Sequence, residues 1–507
     1  RFGGSLGVRL APMTEPTPVY SNPAAPARKA RDVFLAFVLL VVVYRIGILL
    51  TLDIPLFYDE AYYFGWAQEL AFGYFSKPPM VAWSIALTTL ISDSSWAVRL
   101  SSPIFYAVAA VFVWRTSLLW FDEKSAAWAG GIFLTLPLVG FNSMFITTDA
   151  PLLCFWCAGL WALSHALQSD RLGYWLLTGL FCGLGLMSKY SMGILLPGAV
   201  VLLLWVPEYK KYFTRPGPYL GALLAGLLFL PNVLWNFSNE FVSLKHTAEI
   251  SQLDRSALNF SGLLEFAAAQ LICLGPWFLW LLRPKAHGSH TQLQPGHKFA
   301  LSLSVTFFMV IGLQALLSRA NANWAAPGFA GVAMLLGVAM ARLTRPGFNV
   351  VGMGLNMLLI LTLQFYHPLL SVFGVAPTSK NDPYKRVTGW REGVYALQAT
   401  VDADPTRLVV SNSRLLLANF EYYLTVPQPP LLAWDSNGQI DNHYELRANL
   451  ADHAGADVLF VSRNPLTDAV MQRFQSSRTL APVEVPVYSD LTRRLYVYQL
   501  DGFKGYL

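Results

Sequence analysis

Long apolar stretches separated by short polar segments run along the chain as far as about residue 376. Eleven of them approach the length of about 20 residues that an α-helix needs to cross a hydrocarbon core. They lie at about 32–52, 96–120, 125–141, 150–168, 173–187, 190–206, 217–235, 261–282, 298–317, 323–341 and 348–370. A shorter apolar stretch at 80–91 suits a re-entrant or interfacial helix better than a span. The pattern predicts a polytopic α-helical membrane protein.

The segment ahead of the first span, residues 1–31, is expected to form a disordered cytoplasmic N-terminus. As far as Ala27 it is rich in Pro, Ala and Gly and shows no hydrophobic periodicity. The apolar run that follows is too long for a cleaved signal sequence and lacks an obvious small-residue cleavage site. It is therefore interpreted as an uncleaved first span.

The composition changes near Ala376, after the last predicted span. Residues 377–507 hold 27 charged side chains in 131 residues, against 39 in the first 376. Short apolar runs at 408–410, 458–461 and 495–498 are typical of strands, and segments around 389–401 and 465–475 are typical of helices. The sequence thus predicts a transmembrane domain at 32–376 and a small α/β domain at 377–507.

The distribution of basic residues predicts the orientation of the spans. With the N-terminus inside, the connections on that side hold fourteen Lys and Arg residues, and the opposite connections ahead of the tail hold six. Because cytoplasmic loops carry the excess of positive charge, the N-terminus is expected in the cytoplasm. An odd number of spans then places the loop after the first span and the C-terminal domain on the opposite side, in the periplasm or the exterior.

The overall composition supports a membrane location and gives no sign of nucleic-acid binding. The chain is 54% hydrophobic and only 13% charged, against about 25% charged in soluble domains. The net charge of +6 comes from scattered residues, so no nucleic-acid partner is expected. Cys154 and Cys157 have CxxC spacing, but inside an apolar span they are interpreted as small buried hydrophobes. Gly179 and Gly183 have the spacing of a helix-packing motif.

The ionisable residues that could carry chemistry cluster at the predicted outer ends of the spans. Because burying a charge is costly, each ionisable residue near a span is a functional candidate. They and one polar neighbour are Asp59, Glu60, Lys77, Asp149, Lys189, His246, Arg255 and Asn323.

The stretch 58–80 holds more of these candidate residues than any other segment. A helix over 59–71 would place Asp59, Tyr62, Tyr63 and Trp66 on one face. The helix dipole would favour an ionised carboxylate at its start. One interpretation is a general base at Asp59 beside an anion-binding Lys77.

The alternative interpretation is structural at each position. The stretch 58–80 could be a capped interfacial helix with an aromatic belt and a lysine that extends to the membrane surface. Asp149, followed by Pro151, also suits a helix N-cap. Lys189 could be an interfacial charge, and His246 a solvated loop residue.

Taken together, these features resemble a known family. An acid pair after the first span, an aromatic stretch that ends in Lys77-Pro78-Pro79, Asp149 at the mouth of a later span and an external tail domain resemble the GT-C glycosyltransferases of the protein O-mannosyltransferase superfamily. The closer resemblance is to bacterial lipid A aminoarabinose and galacturonic acid transferases. It covers about 30–375 by topology and 55–100 by motif.

The resemblance implies an inner-membrane enzyme that transfers a sugar from a polyprenyl-phosphate carrier to a lipid A-type acceptor, with inversion. It implies no required cofactor. It makes Asp59 and Asp149 catalytic and assigns the donor phosphate to Lys77, Lys189 and Arg255. The substrate pocket would be formed by Tyr58, Glu60, Tyr62, Tyr63, His246 and Asn323.

One residue departs from the pattern of this family. Aminoarabinose transferases tend to carry a glutamate before the lysine of the Lys-Pro-Pro motif, where this chain has Ser76. A divalent metal is therefore not supported at this position, and the identity of the sugar is left open.

Two other functions also stay open, which are a protein O-glycosyltransferase of the same fold and a transporter or flippase of lipid-linked sugars. A transporter would favour polar residues near the bilayer midplane and paired repeats, and the sequence shows no internal repeat.

Overall fold

A bundle of α-helices forms the first part of the structure, which is a computed structural model describing residues 25–251, 258–277, 293–343, 347–425 and 430–506. The α-helices of the bundle are α1 (Ala25–Thr51), α2 (Tyr58–Gln68), α3 (Met80–Thr89), α4 (Ser95–Arg99), α5 (Ser101–Trp120), α6 (Glu123–Thr135), α7 (Pro137–Asn142), α8 (Asp149–Ser169), α9 (Leu172–Leu186), α10 (Leu195–Trp205), α11 (Pro216–Ser238), α12 (Val242–Ser251), α13 (Phe260–Leu274), α14 (Pro295–Leu317), α15 (Gly328–Ala341), α16 (Gly347–Gln364) and α17 (Tyr366–Val372). Short 3₁₀-helices lie at Tyr190–Ile194, Pro207–Phe213, Gly275–Trp277 and Ala322–Ala325.

Local sequence signals set where several of these helices begin. The Asp122 carboxylate accepts a hydrogen bond of 2.9 Å from the backbone N–H of Ser125 and caps α6. Asn259 caps α13 in the same way, through the N–H of Gly262. Such caps satisfy backbone donors that have no partner within the helix. Pro216 and Pro295 open α11 and α14, where a missing N–H costs nothing.

Helices occupy all eleven predicted stretches as far as the described residues extend. Six of the described helices are long and apolar enough to cross a membrane, and a seventh is obtained if the bent pair 349–364 and 366–372 is one span. The others are shorter or broken, such as α9 with 15 residues. The membrane fold is confirmed, and the count of eleven crossings stays a prediction. Helix α3 has ten residues, and a helix of that length covers about half of a hydrocarbon core.

The N-terminal prediction needs a correction. Helix α1 begins at Ala25, whereas disorder was expected through residue 31. Ala, Lys and Arg favour helix, and Pro26 falls in the first turn, where proline is tolerated. These residues therefore extend the apolar span by nearly two turns. Residues 1–24 lie outside the described part of the chain.

Glycines allow α9 and α11 to cross at backbone contact. A Cβ atom at Gly179 would lie 2.1 Å from the carbonyl oxygen of Gly221, and a Cβ at Gly221 would lie 2.5 Å from that of Trp175. At Gly183, a Cβ would lie 2.7 Å from the Cβ of Leu228. The packing role expected for Gly179 and Gly183 is confirmed, because any side chain at these positions would force the helices apart.

The C-terminal part is a mixed sheet with helices against it. Its elements are α18 (Trp390–Asp402), β1 (Leu408–Ser411), α19 (Arg414–Tyr423), β2 (Leu431–Ala433), α20 (His443–Arg447), the 3₁₀-helix Leu450–Asp452, β3 (Val458–Ser462), α21 (Asp468–Met471), β4 (Phe474–Thr479), β5 (Val483–Tyr488) and β6 (Leu491–Phe503). The strand order is β2-β1-β3-β6-β4, and β5 pairs with the first half of β6. The pairs β1–β2 and β1–β3 are parallel, and all pairs of β6 are antiparallel.

The predicted α/β domain is therefore present, with one local error. The three predicted strands correspond to β1, β3 and β6, and the helix expected at 389–401 is α18. The helix expected at 465–475 is only the single turn α21, and β4 begins at Phe474. β4 is the edge strand of the sheet and pairs with β6, and this pairing overrides the local helical pattern. The predicted boundary at 376/377 falls between α17 and α18, and it stays a prediction.

The C-terminal domain packs directly onto α2 and the loop before it. The hydroxyl of Tyr423 accepts a bond of 2.7 Å from the N–H of Leu56. An ion pair of 2.6 Å joins Arg391 to Asp53. Helix α2 is thus held between the end of the helical bundle and helix α19.

Substituting Gly179 with alanine is expected to destabilise the protein, since the new methyl group would meet the backbone of α11. The expected loss is about 1–3 kcal/mol, as for other overpacked sites. Thermal unfolding in detergent measures it. The matched control is Gly226→Ala in α11, where a Cβ meets no atom within 4 Å. Equal midpoints for both variants would contradict the tight crossing.

Candidate active site

A buried ion pair fixes the position of α2 at the end of the bundle. Glu60 is 1% exposed and Arg99 3%. The guanidinium donates two hydrogen bonds to the carboxylate, of 2.9 and 2.6 Å. The same carboxylate accepts from the N–H of Phe57 and, across the bundle, from the N–H of Ile146. Such a pair is stable when its remaining polar atoms are also bonded. Supporting α2 therefore fits Glu60 better than the expected place in the substrate pocket.

The aromatic face of α2 is buried against the C-terminal domain rather than exposed as an interfacial belt. The ring centres of Tyr62 and Trp66 lie 4.7 Å apart in a tilted arrangement, and those of Tyr63 and Trp66 lie 5.0 Å apart. The hydroxyl of Tyr62 accepts a bond of 2.5 Å from the N–H of His443 in α20. The predicted shared face is confirmed, and the aromatic residues bury it between the two domains.

Asp59 lies in the first turn of α2 beside a residue of the C-terminal domain. Its Oδ1 is 3.2 Å from Nη2 of Arg414, the first residue of α19. The side chain keeps 32% of its surface exposed, although protein encloses it closely enough to desolvate the carboxylate. The carboxylate therefore lies in a recess that is open to solvent or to a substrate.

The surroundings of Asp59 have opposite effects on the pKa of its carboxyl group. Burial raises the pKa of this carboxyl above its usual value, while the charges of Arg414 and Lys77 act to lower it and that of Glu60 adds to the rise. A carboxylate held in this balance can accept a proton more readily than one in water. It is suited to act as a general base.

Lys77 follows α2 in the same loop and faces the same group of charges. Burial and the nearby charge of Lys189 lower the pKa of Lys77 to about 8, while Asp59 and Asp149 act against this shift. Among the described residues, no carboxylate lies within ion-pair distance of its ammonium. The ammonium is thus positioned close to acids without being neutralised by one.

Asp149 is bonded at both of its oxygens. Lys189 donates to Oδ1 at 2.6 Å, and Asn323 donates to Oδ2 at 2.5 Å. Asp149 is buried at the start of α8. This cluster joins three parts of the bundle and fixes the Lys189 ammonium, whose charge acts on Lys77. Because neither oxygen is free, the geometry favours orientation of Lys189 over proton transfer for Asp149.

Of the other residues predicted for the site, Tyr58 lies beside Arg414 and His246 lies farther along the chain in α12. The ring of Tyr58 lies under the guanidinium of Arg414, 5.3 Å from its centre. His246 in α12 packs on Phe75 at 4.7 Å. Burial and the charges of Lys77 and Arg414 lower the pKa of His246 to about 4, so its imidazole is neutral at neutral pH. Arg255 lies outside the described residues.

The described residues offer no ready metal site. Within the ranges that the structure covers, no three or more His, Cys, Asp or Glu side chains are grouped closely enough to hold a metal ion. Ser76, at the position where a family glutamate is expected, is buried. Cys154 and Cys157 are buried free thiols in α8.

Two recesses lie away from these charges. An apolar one of about 140 Å³ lies between α8, α9, α10 and α11 and includes Leu163, Trp175 and Ala225. A polar one of about 350 Å³ lies beyond the carboxyl ends of β1, β2 and β3 and includes Asn412, Asp435 and Thr467. Neither is lined by Asp59 or Lys77.

Two arginines of this arrangement were missed by sequence reasoning. Arg99 was assigned only to an outer connection, and nothing local identifies it as the partner of Glu60. Arg414 lies 355 residues from Asp59 and begins a helix like many surface arginines. Only the fold brings it to the first loop.

Known proteins match both the sequence and the fold. Residues 76–235 match the family described as dolichyl-phosphate-mannose-protein mannosyltransferase. Over 423 residues, the chain is 29% identical to the lipid A galacturonosyltransferase RgtD of Rhizobium johnstonii, which covers 82% of this chain and 87% of the relative. It is 31% identical over 170 residues to an undecaprenyl phosphate-α-4-amino-4-deoxy-L-arabinose arabinosyl transferase of Proteus mirabilis, but this match spans only 32% of the chain and 30% of that protein.

Solved structures with the same fold are also found. The apo crystal structure of ArnT from Cupriavidus metallidurans superposes with a TM-score of 0.64 at 15% identity, covering 94% of this chain and 98% of ArnT. The structure of the same protein bound to undecaprenyl phosphate gives a TM-score of 0.63. At this identity the likeness shows a shared fold.

Proposed function

We propose that this chain, a membrane glycosyltransferase with the GT-C fold, transfers a sugar from a polyprenyl-phosphate carrier to lipid A or a related lipid acceptor. The family resemblance expected from the sequence is confirmed by the family match, the galacturonosyltransferase relative and the ArnT-like fold. The relatives are named for galacturonic acid and for aminoarabinose, so the substrate class assigned here is an acidic or amino sugar on a lipid phosphate.

The observation that carries the proposal is the convergence of Asp59 and Lys77 at one end of the bundle. A carboxylate side chain that is about a third exposed lies near an ammonium that no described carboxylate neutralises. The paired Asp149 and Lys189 add a second, oriented cation to the same region. A base together with unneutralised positive charge is the arrangement that a displacement with an anionic leaving group requires.

The reaction can be written with these groups. An acceptor oxygen attacks the anomeric carbon of the donor sugar and forms the new C–O bond as its proton passes to Asp59. The bond between that carbon and the phosphate oxygen breaks, and its electron pair stays on the polyprenyl phosphate. Lys77 stabilises the charge that grows on this leaving group, with Lys189 as a second cation. One displacement of this kind inverts the anomeric centre.

The membrane face follows from the charge distribution along the chain. With the excess of basic residues inside, the end of the bundle that holds Asp59 and Lys77 is on the periplasmic side of a bacterial inner membrane. The C-terminal domain covers this end through α19. A lipid acceptor in the outer leaflet would reach the site without leaving the membrane.

A second acceptor class is favoured by one observation. The family matched by residues 76–235 is named for transfer to proteins. A hydroxyl of a periplasmic protein would need the same base and the same leaving-group charge. The longer match to a lipid A enzyme, over 82% of the chain, favours the lipid acceptor.

Transfer from a purified donor is the direct test. The protein in nanodiscs is supplied with polyprenyl-phosphate galacturonic acid or aminoarabinose and with lipid A, and the products are identified by mass spectrometry. Asp59→Asn is expected to retain less than about a tenth of the wild-type turnover, because general-base catalysis contributes about 10²–10⁴-fold. The control is Asp53→Asn, whose carboxylate in the preceding loop is 75% exposed. Failure of the wild-type protein to transfer either sugar, or full turnover by Asp59→Asn, would oppose the proposal.

The pH dependence of kcat/KM should report on Lys77. The ammonium must be protonated to stabilise the leaving phosphate, and its pKa is lowered to about 8. Activity is therefore expected to fall as the pH rises through about 8. Lys77→Arg keeps its charge and should lose this alkaline fall, while Lys77→Met should lose about 10²–10³-fold at neutral pH. An alkaline limb that persists unchanged in Lys77→Arg would show that another group causes it.

A further inference from the structure

Arg414 links the C-terminal domain to the candidate base. It is the first residue of α19, and its Nη2 lies 3.2 Å from Oδ1 of Asp59. Both side chains keep about a third of their surface exposed, at 31% and 32%. The pair is therefore at the edge of the recess rather than sealed inside the protein.

Two aromatic rings hold the guanidinium in place. Its central carbon lies 5.3 Å from the ring centre of Tyr58 and 5.0 Å from that of Tyr62. Tyr62 is itself fixed by the hydrogen bond from the N–H of His443 and by its ring contact with Trp66. Cation–π contacts of this kind orient a planar guanidinium and leave its N–H groups free to bind a carboxylate.

We infer that Arg414 is a positioning residue that orients the Asp59 carboxylate and keeps it ionised, so that the C-terminal domain completes the active site. The inference rests on the role proposed for Asp59. In this arrangement the C-terminal domain contributes to the chemistry as well as covering the site. If α19 were displaced, the Asp59 carboxylate would be wrongly oriented and more easily protonated.

The charged groups that face Asp59 make this role specific. Arg414 and Lys77 favour its ionised form, and Glu60 opposes it. Glu60 is already paired with Arg99. Burial raises the pKa of Tyr58, Tyr62 and Tyr63 above their usual value, so their hydroxyls stay neutral. Without Arg414, Lys77 is the remaining cation among the groups that favour the carboxylate.

The direction of the effect follows from the sign of the charge. Removing a neighbouring arginine raises the pKa of a carboxyl by about 1–3 units, and partial exposure favours the lower end of that range. A base with a raised pKa is protonated over a wider range of acidic pH. Activity in the variant should therefore be lost at a higher pH as the solution is acidified.

The experiment compares Arg414→Gln, Arg414→Lys and a matched control, Arg391→Gln. Arg391 also joins the C-terminal domain to the bundle, through its ion pair of 2.6 Å with Asp53, but it is not among the charges that act on Asp59. The pH profile of kcat/KM is measured for all three. The titration of Asp59 is read separately, from infrared difference spectra between each protein and its Asp59→Asn counterpart.

Arg414→Gln is expected to shift both the acid limb and the infrared titration upward by about one pH unit. Arg414→Lys should bring the infrared titration of Asp59 most of the way back to its wild-type pH, because the positive charge is kept. It should not restore the full turnover, because lysine lacks the planar guanidinium that orients the carboxylate. Arg391→Gln should match the wild type in both. Thermal unfolding should be similar for Arg414→Gln and Arg391→Gln.

The outcomes separate this inference from the proposed function. An unshifted titration in Arg414→Gln, with turnover equal to that of Arg391→Gln, would overturn the positioning role. A shifted titration in a protein that transfers no sugar would leave the coupling of Arg414 to Asp59 in place and reject the proposed reaction.

Discussion

The buried ion pair between Glu60 and Arg99 fixes the helix on which the candidate active site is built. Two charges with exposures of 1% and 3% are tolerated only because each polar atom has a partner. Glu60 reaches the loop before α2, and it also accepts from Ile146 on the opposite side. Removing one member would leave the other buried and unpaired, at a cost of about 3–5 kcal/mol. The pair therefore sets the place of α2 and of every residue on it.

Asp59 and Glu60 are adjacent in the first turn of α2, but they have different roles because their surroundings differ. Glu60 points into the bundle and meets Arg99, while Asp59 points to the recess and meets Arg414. The first arginine belongs to the helical bundle and the second to the C-terminal domain. The two arginines stabilise different parts of the same helix, so the packing of the domain and the state of the proposed base depend on one another. Lys77 completes this group as the cation without a bound carboxylate among the described residues.

The apolar pattern was enough to predict the helices of the bundle, because a run of that length has few alternatives in a membrane. The shared face of Asp59, Tyr62 and Trp66 also followed from helical spacing alone. The partners of that face did not follow, since Tyr62 meets His443 and Asp59 meets Arg414 across more than 350 residues. The prediction of a helix at 465–475 was wrong for a similar reason, because β4 forms by pairing with β6, which is remote in sequence. The start of α1 at Ala25 was missed because proline was interpreted as a sign of disorder, although it is tolerated in a first turn.

The central claim is that Lys77 binds the phosphate of a lipid carrier at the end of the bundle and that Asp59 faces the same space. A cryo-electron microscopy structure of the wild-type protein with a polyprenyl phosphate tests it most directly. The phosphate should lie within hydrogen-bonding distance of the Lys77 ammonium, with Asp59 facing the same space and the prenyl chain running along the apolar helices. A phosphate bound elsewhere, with Lys77 and Asp59 facing separate spaces, would contradict the account.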